Sequence, residues 1–299
     1  MLNNHIFKAF GTLDIQNVTL ERLQRFFNSK IKAGIAADSV HKMKNLLNNF
    51  FKYAVKKSLI RENPMLDVVI KIRVESGSEG DKQRALRPEI RQPFINWVAD
   101  NPILKPIIIT SSLTGLRPQE ILALEWRHIN FEHKTISIKQ AVQRVYEFDD
   151  SGKVVSRSEK IGKTKTPKSV RDLMMPELVI VVLNEWIAYC KERGIVSDFV
   201  FPNTKTGGRR TYSGLRSSLV RFTKKHNLEG EKISLYTFRH TFATILLEER
   251  ENPKIVAAMM GHTKVSTTLD IYSSVFKSAV YEKTAQTLDG VFAKYAVSN

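Results

Sequence analysis

"VESGSEGDKQ", residues 74–83, is polar, carries two glycines and offers no apolar anchors, so it reads as a linker that divides the chain in two. Upstream, residues 1–73 are expected to be all helix. "VTLERLQRFFNSKIKAG" (18–34) opens with Thr19 as a candidate N-cap and closes on Gly34, a residue suited to the position after a helix. A second helix follows Asp38, with Val40, Met43, Leu47, Phe50 and Ala54 at helical spacing. "RENP" (61–64) ends it, because proline disfavours helical geometry in the residue before it. "LNNHIFKAF" (2–10) reads as the back half of a helix, as though the chain began inside a longer protein.

Downstream of the linker, residues 84–299 form a second domain that begins and ends helical. Helical patterns run through 88–100, 102–115 and 118–126, then again at 177–193, 212–227, 236–250, 253–260 and about 275–296. Between them lies a β-rich insert. "KTISIK" (134–139) alternates, "AVQRVYEF" (141–148) follows, "DDSGK" (149–153) makes a turn, and Lys160 to Met175 reads as a further hairpin strand pair. The fold class is therefore mainly α with a small antiparallel β-sheet.

The global numbers bound the function. The 299 residues, 42% of them hydrophobic, suffice for two cores. No apolar run approaches the roughly 20 residues of a membrane span; "LVIVVLNEWIAYC" (178–190) is broken by Asn184 and Glu185. The start has no signal-peptide pattern, Cys190 has no partner for an internal disulfide, and no Cys/His cluster has zinc spacing, so no metal or other cofactor is expected. A reducing, cytoplasmic setting fits. With 47 Lys+Arg against 30 Asp+Glu, the net charge of +17 favours a polyanionic partner, chiefly DNA or RNA. Both parts of the chain carry this excess, as two parts gripping one duplex would. Lys42, Lys44, Lys52, Lys56 and Lys57 on the second helix are either a solvated face or phosphate contacts.

Four stretches carry candidate chemistry. In "LTGLRPQEIL" (113–122), Gly115 ends one helix and Pro118 starts the next. Arg117 thus stands at a helix N-terminus, where amides favour an anion, with Glu120 close enough to hold its guanidinium. In "SLYTFRHTFATIL" (234–246), Tyr236 and Arg239 share a helix face, and His240 follows. Arg239 sits in an apolar helix, so it needs either a carboxylate or a ligand's charge. In "MMGHTKVSTTLDIY" (259–272), Gly261 caps a helix, His262 enters a turn and Ser266 can cap the next helix, which carries Tyr272. "IGKTKTPKSVR" (161–171) places Lys163, Lys165 and Lys168 on a hairpin-like basic segment suited to phosphate.

Arg, hairpin Lys, Tyr-x-x-Arg, Gly-His and then Tyr ten residues later form a specific order. In it the chain resembles the tyrosine recombinases, in particular the phage and conjugative-transposon integrases. The resemblance covers nearly the whole chain and implies a helical core-binding domain followed by an α+β catalytic domain. It further implies that Arg117 and Arg239 grip a scissile phosphate of double-stranded DNA, that Lys165 is the general acid, that His262 bonds the phosphate and that Tyr272 is the nucleophile. Tyr236 stands where the family usually has His. The implied activity is site-specific cutting and rejoining of DNA through a covalent 3′-phosphotyrosine, without metal or ATP. Implied partners are copies of itself, as a dimer on each site and a tetramer in synapsis, with the C-terminal helix docking on a neighbour, and accessory DNA-bending or excision factors. A type IB topoisomerase-like nicking-closing enzyme and a non-catalytic DNA-binding regulator are the alternatives.

Overall fold

A computed structural model describes residues 1–71, 85–149, 154–164 and 169–275, with the side chains of 270 and 272–275 outside that description. The chain divides into two compact units, Met1–Lys82 and Gln83–Asn299. The linker reading at 74–83, the turn at 150–153, Lys165, Lys168 and the closing helix at 276–296 lie outside the described residues.

The first unit is helical. A π-helical turn, Leu2–Ile6, runs into α1 (Phe7–Phe10), followed by α2 (Leu20–Lys32) and α3 (Ala37–Lys56). Thr19 caps α2, its hydroxyl accepting the Arg22 amide at 3.4 Å, and Gly34 takes the left-handed φ of +71° that lets the chain leave the helix. Leu23, Phe26 and Phe27 of α2 meet Val40, Met43, Leu47 and Phe51 of α3 in one apolar core. Here Phe50 corrects the sequence reading: it is 51% exposed, and Phe51 takes the core position. At 100° per residue, Phe50 and Phe51 fall about equally far from the centre of the stripe set by Val40, Met43, Leu47 and Ala54, one on each side, so packing rather than periodicity chooses between them.

The second unit opens with α4 (Pro88–Ala99), α5 (Leu104–Thr114) and a single turn, α6 (Pro118–Ile121). The expected long helix over 118–126 is thus cut short. Leu122, Ala123 and Leu124 are buried in an irregular segment instead, as the chain turns towards β1 (Ile129–Asn130). β2 (Thr135–Ile138) pairs antiparallel with β1 and with β5 (Arg171–Met174), with Ile136 opposite Leu173 and Ile138 opposite Arg171. β3 (Gln140–Phe148) and β4 (Val154–Lys163) form a separate two-stranded ribbon. Lys160 to Met175 is therefore not a hairpin of its own: its first part closes the ribbon, and its last part joins the other sheet.

Helices α7 (Glu177–Glu192), α8 (Tyr212–Lys225), α9 (Leu235–Glu248), α10 (Pro253–Met260) and α11 (Ser266–Val275) complete the unit. Among the described residues no helix is long and apolar enough to cross a membrane. α5 is buried along nearly its whole length and packs on α9 and α7. Phe94, Phe222 and Phe238 meet ring to ring at its side, with centroids 5.6 and 5.7 Å apart. Gly115 ends α5 at φ +63°, and a Cβ there would lie 2.4 Å from the Phe242 ring. That glycine is what lets α5 and α9 approach so closely.

Candidate active site

Three helix ends and one strand converge in the second unit. Arg117 is the N-cap of α6, and Glu120, three residues on, closes a capping box by accepting the Arg117 amide at 2.9 Å. The same carboxylate accepts the Arg117 guanidinium at 2.8 Å and two N–H groups of Arg171 at 2.9 and 3.2 Å. Glu120 is only 2% exposed. Burial pushes its carboxyl up. The Arg171 hydrogen bonds and charge, the Arg117 amide and the Arg117 charge outweigh that and hold it below the ordinary carboxylate value.

The C-terminal end of α10 is the other half of the site. Gly261 adopts φ +64°, which turns the chain out of the helix. The carbonyls of Met259, Met260 and Gly261 then face three arginines in turn. Arg171 Nε donates to Met259, Arg239 Nη2 to Met260 and Arg117 Nη2 to Gly261, at 2.6, 2.6 and 2.7 Å. A helix C-terminus carries partial negative charge and unpaired carbonyls, which suits cations. Gly261 cannot be enlarged: a Cβ would stand 3.0 Å from Arg171 Nη1 and 3.3 Å from Arg117 Nη1.

Arg239 has no carboxylate hydrogen-bonded to it among the described residues. It is 4% exposed and uses Gly115 O, at 2.6 Å, and Met260 O in place of a carboxylate. Burial and the nearby Arg117 push its guanidinium down to about 9, which leaves it cationic at neutral pH. Among the described residues the three guanidiniums thus have one carboxylate between them, bonded to Arg117 and Arg171 but not to Arg239, and an anion entering the cluster meets uncompensated positive charge.

His262 lies beside them. Its Nδ1 is 2.8 Å from the hydroxyl of Thr268, which is fully buried. Burial first, then Arg239, Arg117, His240 and Arg171, bring the imidazole down to about 4, so it is neutral at pH 7. The Nδ1–Thr268 hydrogen bond can run in either direction; the tautomer in which the hydroxyl donates leaves the proton of the neutral ring on Nε2. Half-buried His240 is lowered by burial and by Arg239. Tyr236 donates its hydroxyl to Gln119 Oε1 at 2.9 Å. Tyr272 falls on α11, which packs on α9 and α10; its side chain lies outside the described residues.

The sequence-marked lysines divide between the two units. Lys163 ends β4, and Lys165 and Lys168 follow it outside the described residues. In the first unit Lys42 pairs with Asp38, Lys44 donates to Val68 O at 2.6 Å, and Lys57 lies over the Tyr53 ring. Lys56 is exposed at the end of α3. Sequence reasoning missed Arg171, Thr268 and Gln119. Arg171 had a readable signal, because period-two alternation puts it on the same face of β5 as the buried Leu173. Among the described residues, no group of three or more His, Cys, Asp or Glu side chains is placed to hold a metal ion.

A mainly helical unit with a small antiparallel sheet is the tyrosine-recombinase catalytic fold, and solved structures share it. The Tn1549 transposon integrase in complex with transposon right end DNA superposes with a TM-score of 0.74 at 21% identity, over 96% of this chain and 90% of that one. The lambda integrase dimer bound to a core site gives 0.63 at 12% identity, over 92% and 87%. The family model described as the phage integrase family matches residues 105–279, and the chain belongs to that family. A tyrosine recombinase XerC-like protein of Caldanaerobacter subterraneus subsp. tengcongensis is 27% identical, over 91% of this chain and 71% of that one. The ICEBs1 integrase of Bacillus subtilis is 25% identical, over 92% and 72%.

Proposed function

We propose that this chain is a site-specific DNA recombinase that cuts and rejoins strands through a covalent 3′-phosphotyrosine. The observation that carries the reading is the cluster of three arginines on one helix end with a single carboxylate between them. Such a cluster is prepared for the charge that grows on a phosphodiester under attack. Arg117 and Arg239 hold the non-bridging oxygens, and neutral His262 donates from Nε2. Tyr236 turns its hydroxyl from Gln119 to the phosphate. The Tyr272 phenolate attacks phosphorus, a P–O(Tyr) bond forms, and the bond to the 5′-oxygen breaks. Lys165 protonates that leaving oxygen. A phenol with a pKa near 10 needs the surrounding cations to ionise at neutral pH. Because the phosphotyrosine keeps the ester energy, a second 5′-hydroxyl can reverse the step on a new partner strand, with no ATP required.

On this reading the first unit and its lysines contact the same duplex. Copies of the chain assemble as dimers on a site and tetramers in synapsis, in the bacterial cytoplasm beside the nucleoid. Tyr272→Phe removes one oxygen. Nicked duplexes should then still be bound with near wild-type affinity, while the covalent adduct seen on denaturing gels disappears. An adduct persisting in that variant would reassign the nucleophile.

A further inference from the structure

The third arginine has no part in the mechanism just given, and its bonding sets it apart from the other two. A guanidinium has five N–H donors. Arg171 spends four of them on the protein: Nε on Met259 O, Nη1 on both Glu120 Oε1 and Ser169 O, and Nη2 on Glu120 Oε2. Its side chain is 8% exposed. Arg117 and Arg239 each spend two side-chain donors among the described residues, which leaves three apiece for an anion. Arg171 is therefore built to hold rather than to grip.

What it holds is specific. Glu120 is shared between Arg171 and Arg117, so a carboxylate swinging away from one would release the other. Met259 O belongs to the same helix end that seats Arg239 and Arg117 on the next two carbonyls. The bond to the Ser169 carbonyl ties the backbone just before β5 to the same cluster.

We propose that Arg171 is a positioning residue for strand cleavage. It fixes Glu120 and the end of α10 so that the free donors of Arg117 and Arg239 converge on the non-bridging oxygens of the scissile phosphate. The proposal rests on the recombinase reading above. Lysine in its place keeps one charge but cannot span Glu120 and Met259 O together, since it lacks the fork. Methionine keeps the stem and loses both.

The test needs a cleavage site. A randomised pool of nicked duplexes is captured covalently by the wild-type chain, and the selected site is synthesised with either a normal scissile phosphate or a methylphosphonate. The methyl group removes one negative charge, so a defect in charge stabilisation shrinks on that substrate. A defect of folding does not. Arg171→Met should slow single-turnover adduct formation on the phosphate by on the order of 100-fold. Duplex affinity should stay within about threefold, and the methylphosphonate should reduce the rate defect to less than about tenfold. Arg171→Lys should fall between wild type and Arg171→Met on both substrates, and it decides the question if the Met variant does not fold. An equal defect on both substrates would make Arg171 a purely structural residue, and a rate within about threefold of wild type would make it dispensable. Either overturns the proposal. Capture of no adduct by the wild type overturns instead the recombinase reading, and this proposal falls with it.

Discussion

Neutral His262 is set by its surroundings rather than by its own chemistry, and the setting has a cost at acid pH. Folding lowers this imidazole from an ordinary 6.5 to about 4, chiefly by burial and then by Arg239 and Arg117. Above pH 6.5 both folded and unfolded chains hold it neutral, so it contributes nothing to pH dependence. As pH falls from 6.5 towards 4, only the unfolded chain takes up the proton, and stability is lost across that window; below it the loss is complete. Urea unfolding of the wild type and His262→Gln should therefore converge or cross as pH drops, their difference changing between 6.5 and 4 and staying flat on either side. A difference that does not move with pH would mean the ring is not held neutral. Arg117, Arg239 and His262 were legible in the sequence because their spacing and order are those of a known constellation. Arg171 was missed despite its place on the same strand face as Leu173, because the lysines just before it suggested a solvent-facing basic loop, and the partner that pulls it inward, Glu120, lies 51 residues away.

Short elements carry this site, and their ends matter more than their lengths. α10 has eight residues, too few to be stable alone, so its caps and packing hold it. Asn252 starts it by accepting the Lys254 amide at 2.9 Å. Asn252→Ala should cost about 1 kcal/mol of unfolding free energy, and Asn252→Asp should recover most of it, read by chemical denaturation. An unchanged midpoint for the Ala variant would mean that packing alone fixes the start of α10. Helices were the legible elements because their apolar period repeats over many residues. The sheet was less so: β4 and β5 are consecutive in the chain yet pair with β3 and β2 respectively, and short alternating runs say nothing about which strand they will join. Phe50 and Phe51 mark the resolution of such reading, since adjacent aromatics both lie near the edge of a helical stripe and only three-dimensional packing chooses.

At the scale of the molecule, two units each hold a separate apolar core, and both halves of the sequence carry excess positive charge. If both engage one duplex, they release counterions together. Duplex affinity of the whole chain should then fall more steeply with salt than that of residues 85–299 alone, and should exceed it at every salt concentration. Fluorescence anisotropy across a salt series measures both slopes. Equal slopes would leave the first unit without phosphate contacts.

Seating three guanidiniums on three successive carbonyls of one helix makes them a single rigid body. They cannot be tuned one at a time, because whatever shifts α10 shifts all three together. Losing one residue from within 253–261 would rotate the carbonyls beyond it by about 100° and unseat the whole set at once. Chance variation in this short helix is thereby all-or-nothing: side chains facing away can drift freely, while its length cannot change by even one residue.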